Sequence, residues 1–282
     1  MISIVIPTRN RANELERCLT ALQDEPADEV VVVDDGSRDD TPSVLRRFGW
    51  VRPIQRDHGG RSAAKNSGVE AASGDLILFL DDDVIATPGL VERHVHHHER
   101  FPDPSEALLG RVTWSPSVNV TRHMRWLEAG GPLFAYDQID DPADVSWRHL
   151  YTANLSLKKA FLEPFDEELP IYEDTELGYR LSRRGLRLRY DADALGHHLR
   201  EETPERTEQR MREVGAAAAM VHEKWPELHE PPPPMRPVGR IKARAAALLS
   251  RAGIHAFDDR LDDWRAARAY ALGYERVASP PR

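Results

Sequence analysis

The stretch DLILFLDDDV (75–84) decides the fold, because five consecutive apolar residues run directly into three aspartates. Such a short, uniformly apolar run predicts a strand buried on both faces of a sheet. SIVIP (3–7) and EVVVVD (29–34) show the same pattern. Helical patterns lie between these strands, over residues 10–22, 39–48 and 60–72. Strands that alternate with helices predict a parallel sheet with right-handed crossovers, and therefore an α/β fold.

The second half of the chain is less regular. SLKKAFLEPF (156–165) and EDTELGYRLSRRG (173–185) look helical, and the second ends at Gly185 after basic residues, as helix C-termini prefer. LRLRYDADALGHH (186–198) alternates in the manner of an antiparallel strand. These assignments place one more strand and two more helices after the regular first half.

The clearest boundary is PPPPMRP (231–237), which must be extended because consecutive prolines continue neither a helix nor a sheet. The sequence therefore predicts a catalytic-size domain over residues 1–225, a Pro-rich linker over 226–237 and a helical C-terminal extension over 238–282.

Composition excludes several classes of protein. Lys and Arg number 38 against 47 Asp and Glu, so the net charge of −9 argues against nucleic acid as the main partner. A single cysteine, Cys18, excludes an internal disulfide and a cysteine zinc cage. The sequence shows neither a signal-peptide pattern nor an apolar run near the roughly 18 residues of a membrane span. We therefore expect a cytoplasmic protein, with peripheral membrane contact left open.

Carboxylates follow two of the predicted strands, as Asp34 and Asp35 after one and as Asp81, Asp82 and Asp83 after the other. In an open parallel sheet, ligands bind beyond the carboxyl ends of the strands. Clustered carboxylates repel unless a cation lies between them, and Mg²⁺ usually binds one or two carboxylates together with substrate phosphates. The pattern predicts a metal–diphosphate site, although solvated turns would also explain either acidic run alone.

Four segments, in this order, resemble the family 2 glycosyltransferases with a GT-A fold: SIVIPTRNRANELERCL (3–19), VVVVDDGSRDDT (30–41), HGGRSAAKNSGVEAASGDLILFLDDDV (58–84) and IYEDTELGYRLSRRG (171–185). The resemblance implies a mostly parallel central sheet flanked by helices. It also implies transfer of a sugar from a nucleotide diphosphate sugar to an acceptor, with inversion at the anomeric carbon and with Mg²⁺ or Mn²⁺. The acceptor, whether a saccharide, a lipid-linked molecule or a small molecule, is not implied.

The resemblance assigns a set of donor-binding residues. The positions that resemble the family's nucleotide and donor contacts are Pro7, Thr8, Arg9, Asp34, Asp35, Arg61, Asn66, Asp81 and Asp82. Among them, Asp35 resembles the carboxylate that binds the uracil or ribose, and Arg61 resembles the residue that contacts base or diphosphate. In the DXD element, Asp81 lies near ribose and sugar and Asp83 is the metal ligand. Because the central residue is itself Asp82, this assignment can shift by one residue.

Glu173 and Asp174 resemble the family's catalytic element, in which the Asp is the general base. An acceptor hydroxyl is a poor nucleophile until its proton is taken as the bond forms, and a positioned carboxylate contributes roughly 10²- to 10⁴-fold by this route. The structural alternative is an acidic helix N-terminus, where both residues are favoured in any case.

The histidines fall into two groups. His197 and His198 resemble the family's late histidine, which completes the metal shell in many members. Neighbours on a strand point to opposite faces, so only one can be the ligand, and we favour His197. His94, His97 and His98 share one face of a helix, which we interpret as a solvated face.

Two further residues are candidates for the sugar and acceptor pocket. Asn154 resembles the Asn of a G-x-N segment that lines this pocket, although Thr152 replaces the glycine. Trp147 could stack on a sugar ring and could equally belong to the core.

The C-terminal extension has its own charge pattern. Residues 236–251 contain five basic residues and no acids, which fits a helix on anionic lipid. The pattern fits equally well a helix that docks on the catalytic domain or pairs with a second subunit, as in a homo-oligomer.

Two rival functions are weighed against the glycosyltransferase. A non-catalytic nucleotide-sugar-binding regulatory or scaffold protein could dispense with Asp174, which is present here. A nucleotidyltransferase commonly has an N-terminal Gly-rich loop, and IVIPTRNRANE (4–14) contains no glycine. An enzyme that transfers sugars is the interpretation that the sequence favours.

Overall fold

The structure is a computed structural model that describes residues 1–129, 132–228 and 258–278. The strands in these residues are β1 (Ile2–Thr8), β2 (Glu29–Asp35), β3 (Arg52–Arg56), β4 (Leu76–Leu80), β5 (Val84–Ala86), β6 (Glu106–Trp114), β7 (Asn154–Lys158) and β8 (Arg187–His198). The α-helices are α1 (Ala12–Leu22), α2 (Thr41–Arg47), α3 (Arg61–Ala71), α4 (Leu90–Arg100), α5 (Arg122–Glu128), α6 (Glu173–Ser182), α7 (Pro204–Lys224) and α8 (Asp258–Ala278).

The strands form one sheet in the order β3-β2-β1-β4-β7-β6-β8-β5. Strands β3, β2, β1 and β4 are parallel to one another, as the alternation of strands and helices predicts. β6 is parallel to β8, whereas β7 and β5 are antiparallel to their neighbours. The apolar runs of β1, β2 and β4 are buried, which accounts for their uniform composition.

Two sequence-based assignments in the second half are corrected. The helix predicted over residues 156–165 is wrong, because Asn154–Lys158 forms β7 between β4 and β6, and the residues after it are turns and irregular segments. Burial of Leu155 and Leu157 in the sheet outweighs the local helical pattern. Residues 187–198 do form a strand, but β8 is parallel to β6 over most of its length and antiparallel only to β5.

The carboxyl ends of β1, β2 and β4 meet at one edge of the sheet. Thr8, at the end of β1, is paired with Asp34 of β2. Leu80, at the end of β4, is paired with Asn154, and the aspartate triplet begins at the next residue. The two acidic runs therefore lie at the same edge, where ligands of parallel sheets bind.

Helix α3 packs directly against the parallel half of the sheet. A Cβ atom on Gly68 would collide with Cγ1 of Val5 on β1 and would press on Val33 of β2. The small residues Ala63 and Ala64 are buried in the same helix. This close approach holds α3 against β1 and β2.

The chain divides into two compact units. The first, Met1–Asn119 with Tyr136–Arg200, contains the sheet and helices α1–α4 and α6. The second, Val120–Ala135 with Glu201–Arg282, contains α5, α7 and α8 in its described part. In that unit, Gly215 and Gly273 allow α7 and α8 to approach closely, because a Cβ on either would collide with a backbone carbonyl of the other helix.

Helix α8 confirms the predicted helical C-terminal extension. Residues 229–257, which include most of the predicted Pro-rich linker and the basic run of the extension, lie outside the described residues. Among the described helices, none is both long and apolar enough to span a bilayer.

Candidate active site

The aspartate triplet after β4 is tied to the loop that follows β1. The hydroxyl of Thr8 donates to Oδ2 of Asp82 at 2.7 Å. The Arg11 guanidinium donates to Oδ1 of Asp82 at 2.9 Å and also to Oδ2 of Asp83. Arg11 is thus a cation held between two carboxylates, a partner that sequence reasoning missed.

The electrostatics of this cluster follow from burial and crowding. Burial raises the pKa of Asp82 to about 7, and the charge of Asp83 adds to this effect while Arg11 opposes it. Burial and Asp83 likewise raise the pKa of Asp81. Burial would lower the pKa of Arg11, but the three carboxylates outweigh it and raise that pKa. Packed negative charge of this kind favours a bound cation.

One carboxylate oxygen of the aspartate triplet has no hydrogen-bond partner among the described residues. Oδ1 of Asp83 is buried and accepts no hydrogen bond from the described part of the chain. Nε2 of the His198 imidazole lies 3.5 Å from this oxygen. A buried carboxylate oxygen beside an imidazole nitrogen is a donor set that suits a divalent cation.

The structure places His198, and not His197, beside Asp83. In the β5–β8 pairing, His198 lies opposite Val84 and His197 opposite Ile85. The backbone N–H of Leu199 also donates to the carbonyl of Asp83 at 2.8 Å, which brings this end of β8 to the triplet. Because neighbouring residues of a strand point to opposite faces, the side chain of His197 lies on the other face of β8. The sequence favours His197 as the metal ligand, whereas the structure brings His198 to Asp83.

Asp35, the predicted nucleotide-binding carboxylate, holds the loop before α3. It accepts hydrogen bonds from the backbone N–H groups of Gly59 and Gly60, each at 2.9 Å, and lies 2.7 Å from Nδ1 of His58. Burial would raise the pKa of Asp35, but these hydrogen bonds and the nearby Arg56 outweigh it and lower that pKa. Asp35 is therefore ionised, and it shapes the loop that leads to Arg61.

The loops after β1 and β2 are tied together by Asn10. Its backbone has a φ of 53°, in the left-handed region that Asn tolerates better than most residues. Its N–H donates to Oγ of Ser37 at 2.9 Å, and its Oδ1 accepts from the N–H of Arg38 at 2.7 Å. Oδ1 of Asp34 accepts from the N–H of Ser37 at 2.9 Å, so Asp34 caps the same turn.

Glu173 and Asp174 lie in the first turn of α6, and both contact Lys65 of α3. Nζ of Lys65 donates to Oε1 of Glu173 and to Oδ1 of Asp174, each at 2.8 Å. The Thr152 backbone N–H donates to Oδ2 of Asp174 at 3.1 Å, and its hydroxyl lies 2.8 Å from Oδ1. Burial would raise the pKa of Asp174, but Lys65 and the hydrogen bonds outweigh it and lower that pKa.

The backbone immediately before this pair is strained. Tyr172 has a φ of 75° and a ψ of 9°, the left-handed conformation that costs a residue with a Cβ roughly 1–2 kcal/mol. Such strain persists where surrounding contacts over-determine the conformation, and it is frequent at functional sites. Here it directs the first turn of α6 towards Lys65 and Thr152.

Comparison with known proteins identifies the family. The family model described as glycosyl transferase family 2 matches residues 3–156. The chain belongs to this family. Among its relatives, a validoxylamine A glucosyltransferase of Streptomyces hygroscopicus subsp. jinggangensis is 34% identical over 236 residues, covering 70% of this chain and 54% of that protein. A pre-mycofactocin glycosyltransferase of Mycobacterium tuberculosis is 29% identical over 214 residues, covering 70% of this chain and 42% of that protein. The chain thus spans about half the length of these curated relatives.

Solved structures confirm the GT-A fold. The mannosyltransferase PcManGT from Pyrobaculum calidifontis, in complex with GDP-Man and Mn²⁺, superposes with a TM-score of 0.63 at 18% identity, covering 100% of this chain and 88% of that chain. S. aureus TarS 1–349 superposes with a TM-score of 0.56 at 18% identity, covering 98% and 90%. At these identities the likeness establishes the fold of this family 2 member and nothing finer.

The remaining predicted site residues of this family 2 member differ in exposure and in their contacts within the chain. Arg9 and Arg61 are exposed at the sheet edge, and Pro7 is half-buried. Asn66 is used by its own chain, because its amide donates to the carbonyl of Phe165 at 3.0 Å and accepts from the N–H of that residue at 2.8 Å. Trp147 is half-buried and stacks against the guanidinium of Arg148, 4.3 Å from the ring centroid.

Asn154 is enclosed by the sheet and only 1% exposed. Its amide nitrogen donates to the carbonyl of Ala194 at 2.8 Å, and its Oδ1 lies 2.9 Å from Nε2 of His94. A Cβ on Gly110, at the irregularity between β6 and β8, would collide with this side chain. The placement favours a structural role for the side chain of Asn154.

The interpretation of His94, His97 and His98 as a solvated face is wrong, because all three are buried. Nδ1 of His94 lies 2.7 Å from Oγ of Ser156, and Nε2 of His98 lies 2.9 Å from the same oxygen. Burial lowers the pKa of His94 and His97 to about 4, and that of His98 to about 3. Burial and these low pKa values make the three histidines a neutral polar core. In the described residues, no group of three His, Cys, Asp or Glu side chains is arranged as a metal site.

Proposed function

We propose that this chain is an inverting glycosyltransferase that moves a sugar from a nucleotide diphosphate sugar to an acceptor hydroxyl, assisted by Mg²⁺ or Mn²⁺. The observation that carries the proposal is that the aspartate triplet and Asp174 lie close enough to interact at one edge of the sheet. Asp81 interacts electrostatically with Asp83 on one side and with Asp174 on the other. Asp83 has a buried oxygen without a partner among the described residues, and the side chain of Asp174 remains 26% exposed.

Asp174 is the proposed general base. Its lowered pKa keeps it ionised at neutral pH, so it can accept the acceptor's proton as the glycosidic bond forms. A base of low pKa removes a proton weakly in the ground state and acts mainly through its position in the transition state. Glu173 is almost fully buried, with 4% of its side chain exposed, and this favours Asp174 as the residue that meets the acceptor.

The residues at the triplet fit a divalent cation. Oδ1 of Asp83 and Nε2 of His198 would hold it, with the remaining positions left to the donor's diphosphate and water. When bound, the cation stabilises the negative charge of the departing nucleoside diphosphate. Arg11, paired to Asp82 and Asp83, already balances part of the negative charge of the triplet, so it competes electrostatically with an added cation.

The donor is proposed to be a nucleotide sugar bound over the loops after β1, β2 and β3. The solved neighbours include complexes described with UDP, UDP-GlcNAc and GDP-Man, which supports a nucleotide sugar without selecting its base. The exposed guanidinium groups of Arg9 and Arg61 suit the diphosphate or base, since Arg binds phosphate in a bidentate manner. We also propose the domain limits 1–225, 226–237 and 238–282 given by the sequence.

The first experiment is a thermal-shift panel of UDP, GDP, TDP and their sugars, each with and without Mn²⁺. A ligand at 100 times its Kd raises the free energy of unfolding by roughly 2.7 kcal/mol, which a melting curve resolves. We expect a Mn²⁺-dependent shift with one nucleotide. No shift with any of them would exclude the proposed donor class.

The second experiment tests the base with the donor so identified. Asp174→Asn is expected to lower the transfer rate roughly 10²- to 10⁴-fold while leaving nucleotide affinity within a few-fold. Asp193→Asn is the control, because Asp193 is an exposed residue of β8 whose carboxylate pairs with Arg93 of α4. Substantial transfer by Asp174→Asn would show that another residue is the base, and Glu173→Gln would be the next variant to measure.

NMR of the product tests the proposed inversion. A product that keeps the anomeric configuration of the donor would contradict it.

A further inference from the structure

Lys65 is a buried lysine whose role the sequence did not reveal. Its side chain is 5% exposed, and Nζ donates to Glu173, Asp174 and the hydroxyl of Thr152. The ammonium also lies 4.9 Å from the ring centroid of Phe165. All three polar partners are oxygens at the start of α6 or just before β7, so the buried lysine lies in a polar site of its own.

The charges around Lys65 explain why a cation is required there. Glu173 and Asp174 are adjacent carboxylates, and Asp81 adds a third negative charge from the end of β4. Arg61 of α3 is the other nearby cation, and it interacts with Asp81. Removing one partner of a buried ion pair leaves the others uncompensated, and like charges then favour uptake of a proton.

The hydrogen-bond pattern also orients Asp174. Lys65 donates to Oδ1 and to the Thr152 hydroxyl, which in turn lies 2.8 Å from Oδ1 and 2.9 Å from Oδ2 and can donate its one proton to either oxygen. The Thr152 N–H donates to Oδ2 at 3.1 Å. Each carboxylate oxygen has two acceptor positions, so these three donors fill three of the four positions on Asp174 and leave one open.

We propose that Lys65 is a positioning residue for Asp174: its ammonium fixes Oδ1, so that the one acceptor position left open on the carboxylate receives the proton of the acceptor hydroxyl. The inference rests on the proposed function, because it assumes that Asp174 is the base. Lys65 itself touches neither donor nor acceptor. Its two effects are to keep Asp174 ionised and to hold the carboxylate in one orientation.

The test compares Lys65→Met with Lys65→Arg and with Lys159→Met. Lys159 is a matched control, since its half-buried ammonium donates to the carbonyl of Ala72, away from the acidic pair. For Lys65→Met we expect the acid limb of the kcat profile to move to higher pH by about one unit or more, because Asp174 loses its compensating charge. KM for the donor should change little, and Lys159→Met should match the unmodified chain.

Lys65→Arg separates charge from geometry. It keeps the positive charge, so the acid limb should stay in place, whereas kcat should fall about 10-fold because a larger planar guanidinium presents its N–H groups in a different arrangement from the compact ammonium and so displaces the Asp174 carboxylate. If Lys65→Met does not fold, Lys65→Gln keeps a polar end group without the charge, and the same shift of the limb is expected. An unmoved acid limb in the folded uncharged variant would overturn the inference.

A measurement without turnover distinguishes this inference from the proposed function. Carbon-13 NMR of labelled aspartate carboxyls, with the Asp174 signal assigned by Asp174→Asn, follows the ionisation of Asp174 in the free protein. If the titration of Asp174 moves to higher pH in the uncharged variant, Lys65 holds Asp174 ionised even where transfer cannot be detected. If the titration does not move, the inference fails even where transfer of sugar is observed.

Discussion

Nε2 of His198 lies 3.5 Å from Oδ1 of Asp83, a buried carboxylate oxygen that accepts no hydrogen bond within the described residues. The backbone bond from Leu199 to Asp83 holds this end of β8 against the triplet. The pair is therefore preformed by the β5–β8 edge of the sheet, and it does not depend on a ligand to bring it together.

This relationship predicts which histidine supports metal-dependent binding. His198→Asn should weaken Mn²⁺-dependent nucleotide binding about 10-fold or more, because the change removes a nitrogen beside Asp83. His197→Asn is the matched control, since that side chain lies on the other face of β8, and its affinity should stay within two-fold. Calorimetry with Mn²⁺ and the nucleotide found in the panel measures both. A larger loss of Mn²⁺-dependent affinity in His197→Asn than in His198→Asn would show that His197 is the ligand, as the sequence favours.

Arg11 predicts a second property of the triplet. Its guanidinium neutralises Asp82 and Asp83, so it competes electrostatically with any cation that binds there. Arg11→Met should lower the Tm of the metal-free protein, because two buried carboxylates lose their partner. It should also bind Mn²⁺ about 10-fold more tightly, since a nearby positive charge is removed.

The control for Arg11 is Arg9→Met, which removes an exposed arginine of the same loop. Titration with Mn²⁺ alone, followed by Tm, avoids any effect on nucleotide binding. Weaker Mn²⁺ binding in Arg11→Met would show that Arg11 orients the carboxylates for the metal more than it competes with it.

The packing of α3 on the sheet predicts the effect of one added methyl group. Gly68→Ala should lower the free energy of unfolding by about 1–3 kcal/mol, the usual cost of overpacking a core, despite the better helix propensity of Ala. Its Cβ would collide with Val5. Gly49→Ala is the control, because a Cβ there meets nothing within 4 Å. Urea unfolding of both variants decides, and equal stabilities would contradict the close contact.

The parts of the fold that could be predicted are those with a local signal. The apolar runs of β1, β2 and β4 identify buried strands without any knowledge of their partners, and their order along the chain places Asp34 and Asp83 at one edge. β7 could not be recognised, because its pairing with β4 and β6 joins segments distant in sequence. Neither could the choice between His197 and His198, which depends on the register of β8 with β5.

The sequence also left residues of the candidate site unrecognised, because their partners are distant along the chain. Lys65 looks like a solvent-facing lysine in an alanine-rich helix, and only the fold shows that acidic residues of α6 lie against it. One signal was available, since Lys65 follows Arg61 by four residues and so shares its helix face. The histidines of α4 failed in the same way, because periodicity shows that residues share a face without showing what covers that face.

The buried histidines predict acid-sensitive stability. The folded-state pKa values of His94 and His97, about 4, and of His98, about 3, lie below the ordinary value of 6.5. At pH values between 6.5 and the folded-state pKa of each histidine, the unfolded chain binds more protons than the folded chain. The free energy of unfolding therefore falls as the pH drops below 6.5. Each histidine contributes a loss of at most about 1.4 kcal/mol per pH unit, until the pH reaches its folded-state pKa.

Urea unfolding at pH 7 and pH 5 measures this dependence, and the difference between variants isolates one histidine from the carboxylates that titrate nearby. His98→Gln should lose less stability between the two pH values than the unmodified chain, because one buried group no longer gains a proton on unfolding. His96→Gln is the control on the same helix, since its side chain is 74% exposed, and it should reproduce the original pH dependence. An identical pH dependence in His98→Gln would mean that His98 is already protonated in the folded protein, or that it is not shielded from water as the structure places it.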